Sequence, residues 1–255
     1  MSSLISKIVF ALFILLLGTV ESYAQSFAAL GLPAITSATD NTGATTYSLS
    51  LQILLLMTAI TVLPSLVLGM TAFTRIIIVL SILRQALGTQ QTPPNQVLIA
   101  IALFLSFYIM NPIFEVLYNQ TLNPYLEGQL SLEVAMSQGL SIFKDFMVSN
   151  TRVDTINMFS DLSNSGPFKD TESIPISIVL PAFITSELKT AFEIGFLIFL
   201  PFLVIDMVIA SLLMSLGMMM LSPMLISLPF KLLLFVLVDG WSMTIGSLSS
   251  TFLVG

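Results

Sequence analysis

Residues 192–237 read FEIGFLIFLPFLVIDMVIASLLMSLGMMMLSPMLISLPFKLLLFVL: two long apolar runs interrupted at residues 217–223, where Met218, Met219 and Met220 stand side by side. Beyond Glu193 the only charges in this stretch are Asp206 and Lys231. A sequence of this kind cannot coat a water-soluble domain, and it predicts a membrane-associated helical hairpin with a methionine-rich tip. An unpaired charge at the centre of a bilayer costs about 2.5–3.5 kcal/mol even on the lenient insertion scale, so Asp206 needs a partner. Asp206 lies eleven residues before Gly217 and Lys231 eight after Pro223. At about 1.5 Å per residue they stand roughly 16 Å and 12 Å from the turn, a difference of less than one helical turn. The spacing predicts an Asp206–Lys231 ion pair, within one hairpin or between adjacent copies. The plain alternative is that both charges escape to the membrane interfaces.

The rest of the chain agrees with a membrane protein. It is 56% hydrophobic and 9% charged over 255 residues, with a mean hydropathy of +0.99. Cys and His are absent, which removes disulfides, thiolate and imidazole metal ligands, the Cys and His nucleophiles and the commonest general base. No enzyme, metal or cofactor is expected. A net charge of −6 with eight scattered basic residues also excludes a nucleic-acid partner, which requires clustered Lys or Arg.

Taken in order, residues 1–24 place Lys7 before an apolar run and end in Ser22-Tyr23-Ala24, the pattern of a cleaved secretory signal; an uncleaved anchor helix is the alternative. Residues 25–48, rich in small polar side chains, read as a flexible extracytoplasmic lead-in. Residues 49–118 form a first apolar hairpin, kinked near Pro64 and Gly69 and broken at Gln90-Gln91-Thr92-Pro93-Pro94-Asn95. Arg75 and Arg84, nine residues apart, fall on opposite faces of one helix at roughly 100° per residue. One is expected to anchor at the membrane edge while the other meets a partner.

Residues 119–176 carry seven acids and three bases, so −4 of the net −6 lies here. Leu132, Met136, Leu140, Phe143 and Met147 recur at helical spacing, as do Ile156, Phe159 and Leu162. These amphipathic helices either cover their own chain's hairpins or use Phe146 and Phe159 to contact a neighbouring subunit. Residues 177–255 form the second hairpin. Pro181 suits its first helical turn, and Glu187, Lys189, Thr190 and Glu193 sit at an interface or line a vestibule. The signal and the unopposed arginines together place the acidic interval outside and the methionine turn toward the cytoplasm. The fold expected is all-α, two long helical hairpins with a small amphipathic helical region between them.

Methionine fills irregular gaps and re-packs easily, so on physics alone Met218–Met220 are plain core filler. If several copies met about an axis, the same residues would form a soft apolar collar. RIIIVLSILRQALGTQQTPPNQ (75–96), ELKTAFEIGFLIFLPFLVIDMVIASLLMSLGMMMLSPMLISLPFK (187–231) and LVDGW (237–241) together closely resemble the FliP family of flagellar type III export-gate proteins and its counterparts in virulence secretion systems. The resemblance implies a non-enzymatic inner-membrane subunit of the flagellar basal body. It implies a homo-oligomer, a pentamer, acting with FliQ-like and FliR-like gate subunits, FlhB-like and FlhA-like export components, membrane lipid and unfolded substrate proteins. By position it makes Met218, Met219 and Met220 a pore gasket and Asp206 and Lys231 a charged pair. Glu187, Phe146 and Phe159 become subunit-contact or pore-side residues. It also implies that the hairpins lie largely above the membrane plane. The rival classes are a stand-alone ion channel or transporter, an intramembrane aspartyl enzyme using Asp206 and Asp239, and a passive scaffold.

Overall fold

The computed structural model describes residues 35–39, 45–49, 51–89, 91–166, 168, 170, 173–218 and 220–252. The chain divides into two compact units, residues 1–65 and 66–255. The signal expected at residues 1–24 lies outside the described residues.

In the first unit, β1 (Ile35–Thr39) pairs antiparallel with β2 (Thr45–Leu49), Ile35 opposite Leu49 and Thr39 opposite Thr45. The segment read as a flexible lead-in thus contains a two-stranded ribbon. Its strands are rich in Thr and carry Tyr47, residues that favour a pleated backbone. Helix α1 (Leu51–Gly69) begins in this unit and ends in the next. Among its described side chains the hydroxyls turn back on the helix: Thr58 Oγ1 donates to Leu54 O at 2.6 Å and Ser65 Oγ to Val62 O at 2.7 Å. The exposed side chains between them, Leu54, Met57, Ile60, Leu63 and Leu66 among them, are apolar, the pattern of a helix covered by lipid or protein.

In the second unit, α2 (Phe73–Leu87) buries Arg75, Ile76, Val79, Leu80, Leu83, Ala86 and Leu87, a stripe at three- and four-residue spacing. It stops at Gly88, whose φ of 77° is the left-handed region only glycine adopts freely. After the Pro93-Pro94 breaker, α3 (Asn95–Leu117) runs back along α2 and passes through a π turn, Tyr118–Leu122, into α4 (Asn123–Leu126). Then come α5 (Leu132–Ser149), whose first turn is capped by the Ser131 hydroxyl, and α6 (Val153–Leu162).

Helix α7 (Ile176–Ser215) has 40 residues and spans about 60 Å. It is the mast of the unit, packing on α2, α5, α6 and α8 (Pro223–Leu237). Its N-cap is Pro175, so Pro181 lies inside the helix and not in its first turn. The apolar run Ile176–Leu180 extends the helix backward, and its packing outweighs the backbone hydrogen bond that Pro181 cannot make. A close crossing sets α7 against α2, since a Cβ on Gly195 would stand 2.4 Å from Ile82 Cδ1. The chain ends with α9 (Gly240–Ser250), bent 64° from α8 across Asp239, whose φ is 49°.

The main core joins α2, α3, α5, α6 and the first half of α7, with Leu248 and Phe252 closing one end. The acidic interval contributes Phe146, Met147 and Ile156 to this core. Phe146 is buried edge-on against Phe183, ring centroids 6.1 Å apart, and Phe159 is half-buried on the same core. Phe146 is thus taken up within its own chain, and Phe159 keeps part of its surface exposed. Only part of the two amphipathic faces is used in this way: Met147 and Ile156 are buried, whereas Leu132, Met136, Leu140 and Leu162 stay exposed. Among the described residues, two stretches, Asn95–Leu126 and Ile176–Ser215, are long and apolar enough to cross a membrane. Two bent helix pairs, α1 with α2 and α8 with α9, pass the same test when each is taken together.

Candidate functional site

The far end of the α7–α8 hairpin gathers three polar side chains in an otherwise apolar setting. Lys231 Nζ donates to Asp206 Oδ2 at 2.6 Å and to the Ala86 carbonyl at 3.1 Å. Ser227 Oγ donates to the other carboxylate oxygen, Oδ1, at 2.5 Å. Ser227 and Lys231 are four apart on α8 and so share the face turned to α7. Ala86 belongs to the last turn of α2, where carbonyls have no helical donor and the helix end is partly negative; the ammonium satisfies both. The two charged side chains are unequally sealed, Lys231 2% and Asp206 31% exposed. Leu83, Ala86, Leu87, Phe202 and Phe235 form a small apolar cluster beside the clasp. Gly88 lies beside the clasp, where a Cβ would make ordinary van der Waals contact with Lys231 Nζ at 3.9 Å. Ser227 and the Ala86 carbonyl were not read from sequence; the i, i+4 spacing of Ser227 and Lys231 was the available signal for the hydroxyl, and nothing local announced the carbonyl.

Beyond the clasp the hairpin turns at Gly217, with φ 73°. The Gly217 N–H donates to Met214 O at 3.1 Å and the Met218 N–H to Leu213 O at 2.9 Å. This pair of reversed bonds closes a helix through a left-handed glycine. It throws the next residues outward: Met218 is 48% exposed and Met220 fully so. Met219 lies outside the described residues. Ser222 and Pro223 then start α8, proline occupying a position whose N–H needs no helical acceptor.

A second charged cluster lies inside the main core. Arg75 donates through Nε to Glu187 Oε2 at 2.8 Å and through Nη2 to Oε1, a bidentate pair. Its Nη1 donates to both the carbonyl and the hydroxyl of Thr251, each at 3.0 Å, and its guanidinium lies 3.8 Å from the Phe252 ring centroid. Arg75 is 3% exposed and Glu187 0%. Arg75, expected as a membrane-edge residue, and Glu187, expected at a pore or subunit contact, are thus each buried against the other within the chain. Arg84, on the opposite face of α2, ties the following loop through Nη1 to Pro93 O at 3.2 Å and Asn95 Oδ1 at 2.6 Å. The polar residues after Glu187 are matched by α6: Lys189 reaches Asp154 at 3.4 Å and Glu193 pairs with Arg152. Both pairs are substantially exposed and contribute little to stability.

Both clusters fall within residues 56–248, the span matched by the model of the FliP family, except for Thr251 and Phe252 at the C-terminal end. The chain belongs to the FliP family. It is 68% identical over 222 residues to the Flagellar biosynthetic protein FliP of Cereibacter sphaeroides, covering 87% of this chain and 73% of the relative. The protein of the same name from Pectobacterium carotovorum is 50% identical over 221 residues, covering 87% and 86%. That from Bacillus subtilis is 49% identical over 205 residues, covering 80% and 93%. This FliP-family chain thus carries the family's region from within α1 to near the end of α9.

Proposed function

We propose that the chain is a non-enzymatic subunit of the flagellar type III protein export gate. Several copies, a pentamer by the family resemblance, surround a channel for unfolded flagellar proteins together with FliQ-like and FliR-like subunits, and FlhB-like and FlhA-like components complete the export apparatus. The assembly sits at the bacterial inner membrane in the flagellar basal body, with the acidic interval on the periplasmic side. The observation that carries this reading is the exposed methionine turn held on a charge-clasped hairpin. Met218 and Met220 project from a glycine-closed turn instead of filling a core, while the second half of α7 leaves Phe196, Leu197, Met207 and Met214 uncovered. Apolar surface on that scale requires cover by lipid or by neighbouring subunits. Copies arranged about an axis would bring their methionines together as a deformable collar, closed when nothing passes and yielding to a polypeptide.

The test is substitution of Met218, Met219 and Met220 together by alanine in the assembled complex. A gasket predicts increased leakage of small solutes with assembly and membrane insertion retained. Leakage equal to that of the unaltered complex would remove the gasket from the proposal and favour a passive scaffold.

A further inference from the structure

Helix α3 presents two different faces. One, at Leu98, Ala102, Ser106, Ile109 and Met110, is buried where α3 packs on α2. On the other, Phe104, Tyr108, Asn111, Glu115 and Tyr118 are all exposed, and they recur at alternating four- and three-residue steps. At roughly 100° per residue the five fall within a stripe about 80° wide. Such steps average 3.5 residues, the spacing by which one helix lays a seam against another. From residue 104 to 118 the stripe runs about 21 Å at about 1.5 Å per residue.

Neither water nor acyl chains suit this stripe. Phe104 and Tyr108 are 72% and 74% exposed, and their rings gain by being covered. Glu115 carries a charge and Asn111 an amide, which acyl chains cannot satisfy. Glu115 is the only charged residue between Arg84 and Glu127, and it makes no ion pair among the described residues. Aromatic side chains set around a few polar groups are the make-up of a protein interface. Phe107 packs on Phe114 along one flank, ring centroids 5.9 Å apart, so part of the wall is ordered before anything docks.

Charge selects the occupant. Arg75, Arg152, Lys189 and Lys231 are matched to carboxylates of their own chain, Arg84 is turned back on Pro93 and Asn95, and Lys144 is engaged as well. A second copy of this chain thus brings no spare cation among its described residues, whereas Glu115 needs one once it is covered. We propose that the α3 stripe docks an α-helix of a different protein, an apolar helix whose lysine or arginine pairs with Glu115. Asn111 sets the register of that contact, as a lone polar residue does in a helix seam. Resting on the reading of the chain as one subunit of a several-protein gate, this contact adds a surface and a partner chemistry to it.

The test is made in the export complex assembled in cells and purified from membranes. A photoreactive phenylalanine analogue replaces Tyr108, and the cross-linked peptide is sequenced by mass spectrometry. The adduct is expected on a helix of a different protein, beside a lysine or arginine. Glu115→Lys in the same background should lower its yield at least about tenfold, the effect of reversing one member of a covered charge pair. Combining Glu115→Lys with replacement of that lysine or arginine by glutamate should restore the yield. An adduct on a second copy of this chain would overturn the proposal in favour of a contact between copies, and an adduct on lipid alone in favour of a lipid-covered face. Both outcomes are read with Glu115 in place, so they stand even if Glu115→Lys fails to assemble. Equal yields with glutamate and lysine at position 115 would overturn the charge pair and the proposal with it. Any of these results in a complex that still exports flagellar protein leaves the export-gate reading standing; export that survives removal of the whole chain would sink that reading instead.

Discussion

Among the described residues the interior holds two cation–carboxylate pairs, and they are built to different standards. Arg75 and Glu187 are both sealed, joined through two parallel hydrogen bonds, and braced by Thr251 and Phe252. They fasten α2, α7 and the C-terminal turn where the core is deepest. Asp206 and Lys231 are joined by a single contact, and only the lysine is sealed. Its clasp sits where α7 has left the main core, among five buried apolar residues instead of nineteen. One pair lies in the deep core; the other lies at the root of an arm whose tip carries the exposed methionines. The contrast separates a sealed packing anchor from a half-open clasp on a hairpin.

The strongest test of that contrast removes one member of the sealed pair. Glu187→Leu leaves the Arg75 guanidinium buried and without its carboxylate, at an expected cost of about 3–5 kcal/mol. Most of that cost should return on adding Arg75→Met, because two apolar side chains of similar volume replace a buried ion pair at little net penalty. Thermal unfolding of the purified chain, followed through its single tryptophan, Trp241, reads both changes. If the double variant were no more stable than Glu187→Leu, the stranded charge would not be the source of the loss.

The half-open pair should respond asymmetrically. Asp206→Asn strands Lys231, which is sealed and keeps the Ala86 carbonyl as its acceptor. A loss of about 3 kcal/mol is expected, toward the low end for a broken buried pair. Lys231→Met strands Asp206, which reaches solvent and keeps the Ser227 hydroxyl, and about 1–2 kcal/mol is expected. Equal losses in the same unfolding measurement would mean that Asp206 is as enclosed as Lys231 and would erase the distinction between the two pairs.

The two pairs also differ in how far the sequence revealed them. Asp206 and Lys231 could be matched by counting residues from one turn, because a hairpin converts sequence distance into height along two adjacent helices. The all-α class and the helix breaks at Pro93-Pro94 and near Gly217 followed from the same local rules. Arg75 and Glu187 are 112 residues apart, and no count along the chain relates them. Helical periodicity put Arg75 and Arg84 on opposite faces, but only tertiary packing decides which face enters the core. Phe146 posed the same problem: its helix was legible, whereas its burial against Phe183 depends on how α5 meets α7. Pro181 was misplaced for a local reason, since proline is common in a first helical turn yet is tolerated deeper when packing compensates.

The smallest expected effect concerns how the arm turns. Gly217 has φ 73° and no heavy atom within 4 Å of the position a Cβ would take, so a side chain there meets conformational strain but no steric contact. Gly217→Ala should therefore cost about 1 kcal/mol, the penalty of holding an alanine in the left-handed region. Both hydrogen bonds that close the turn depend on that conformation, Gly217 N–H to Met214 O and Met218 N–H to Leu213 O. If the turn serves only to join two helices, the variant should lose this small stability and nothing else. If it aims the methionines, solute leakage through the assembled complex should rise although the unfolding temperature barely moves. That dissociation of leakage from stability is absent from the Glu187→Leu prediction, where any loss of function should track loss of fold. A Gly217→Ala complex that stays closed and stable would show that the arm tolerates re-aiming, and would assign closure to the softness of the methionine side chains themselves.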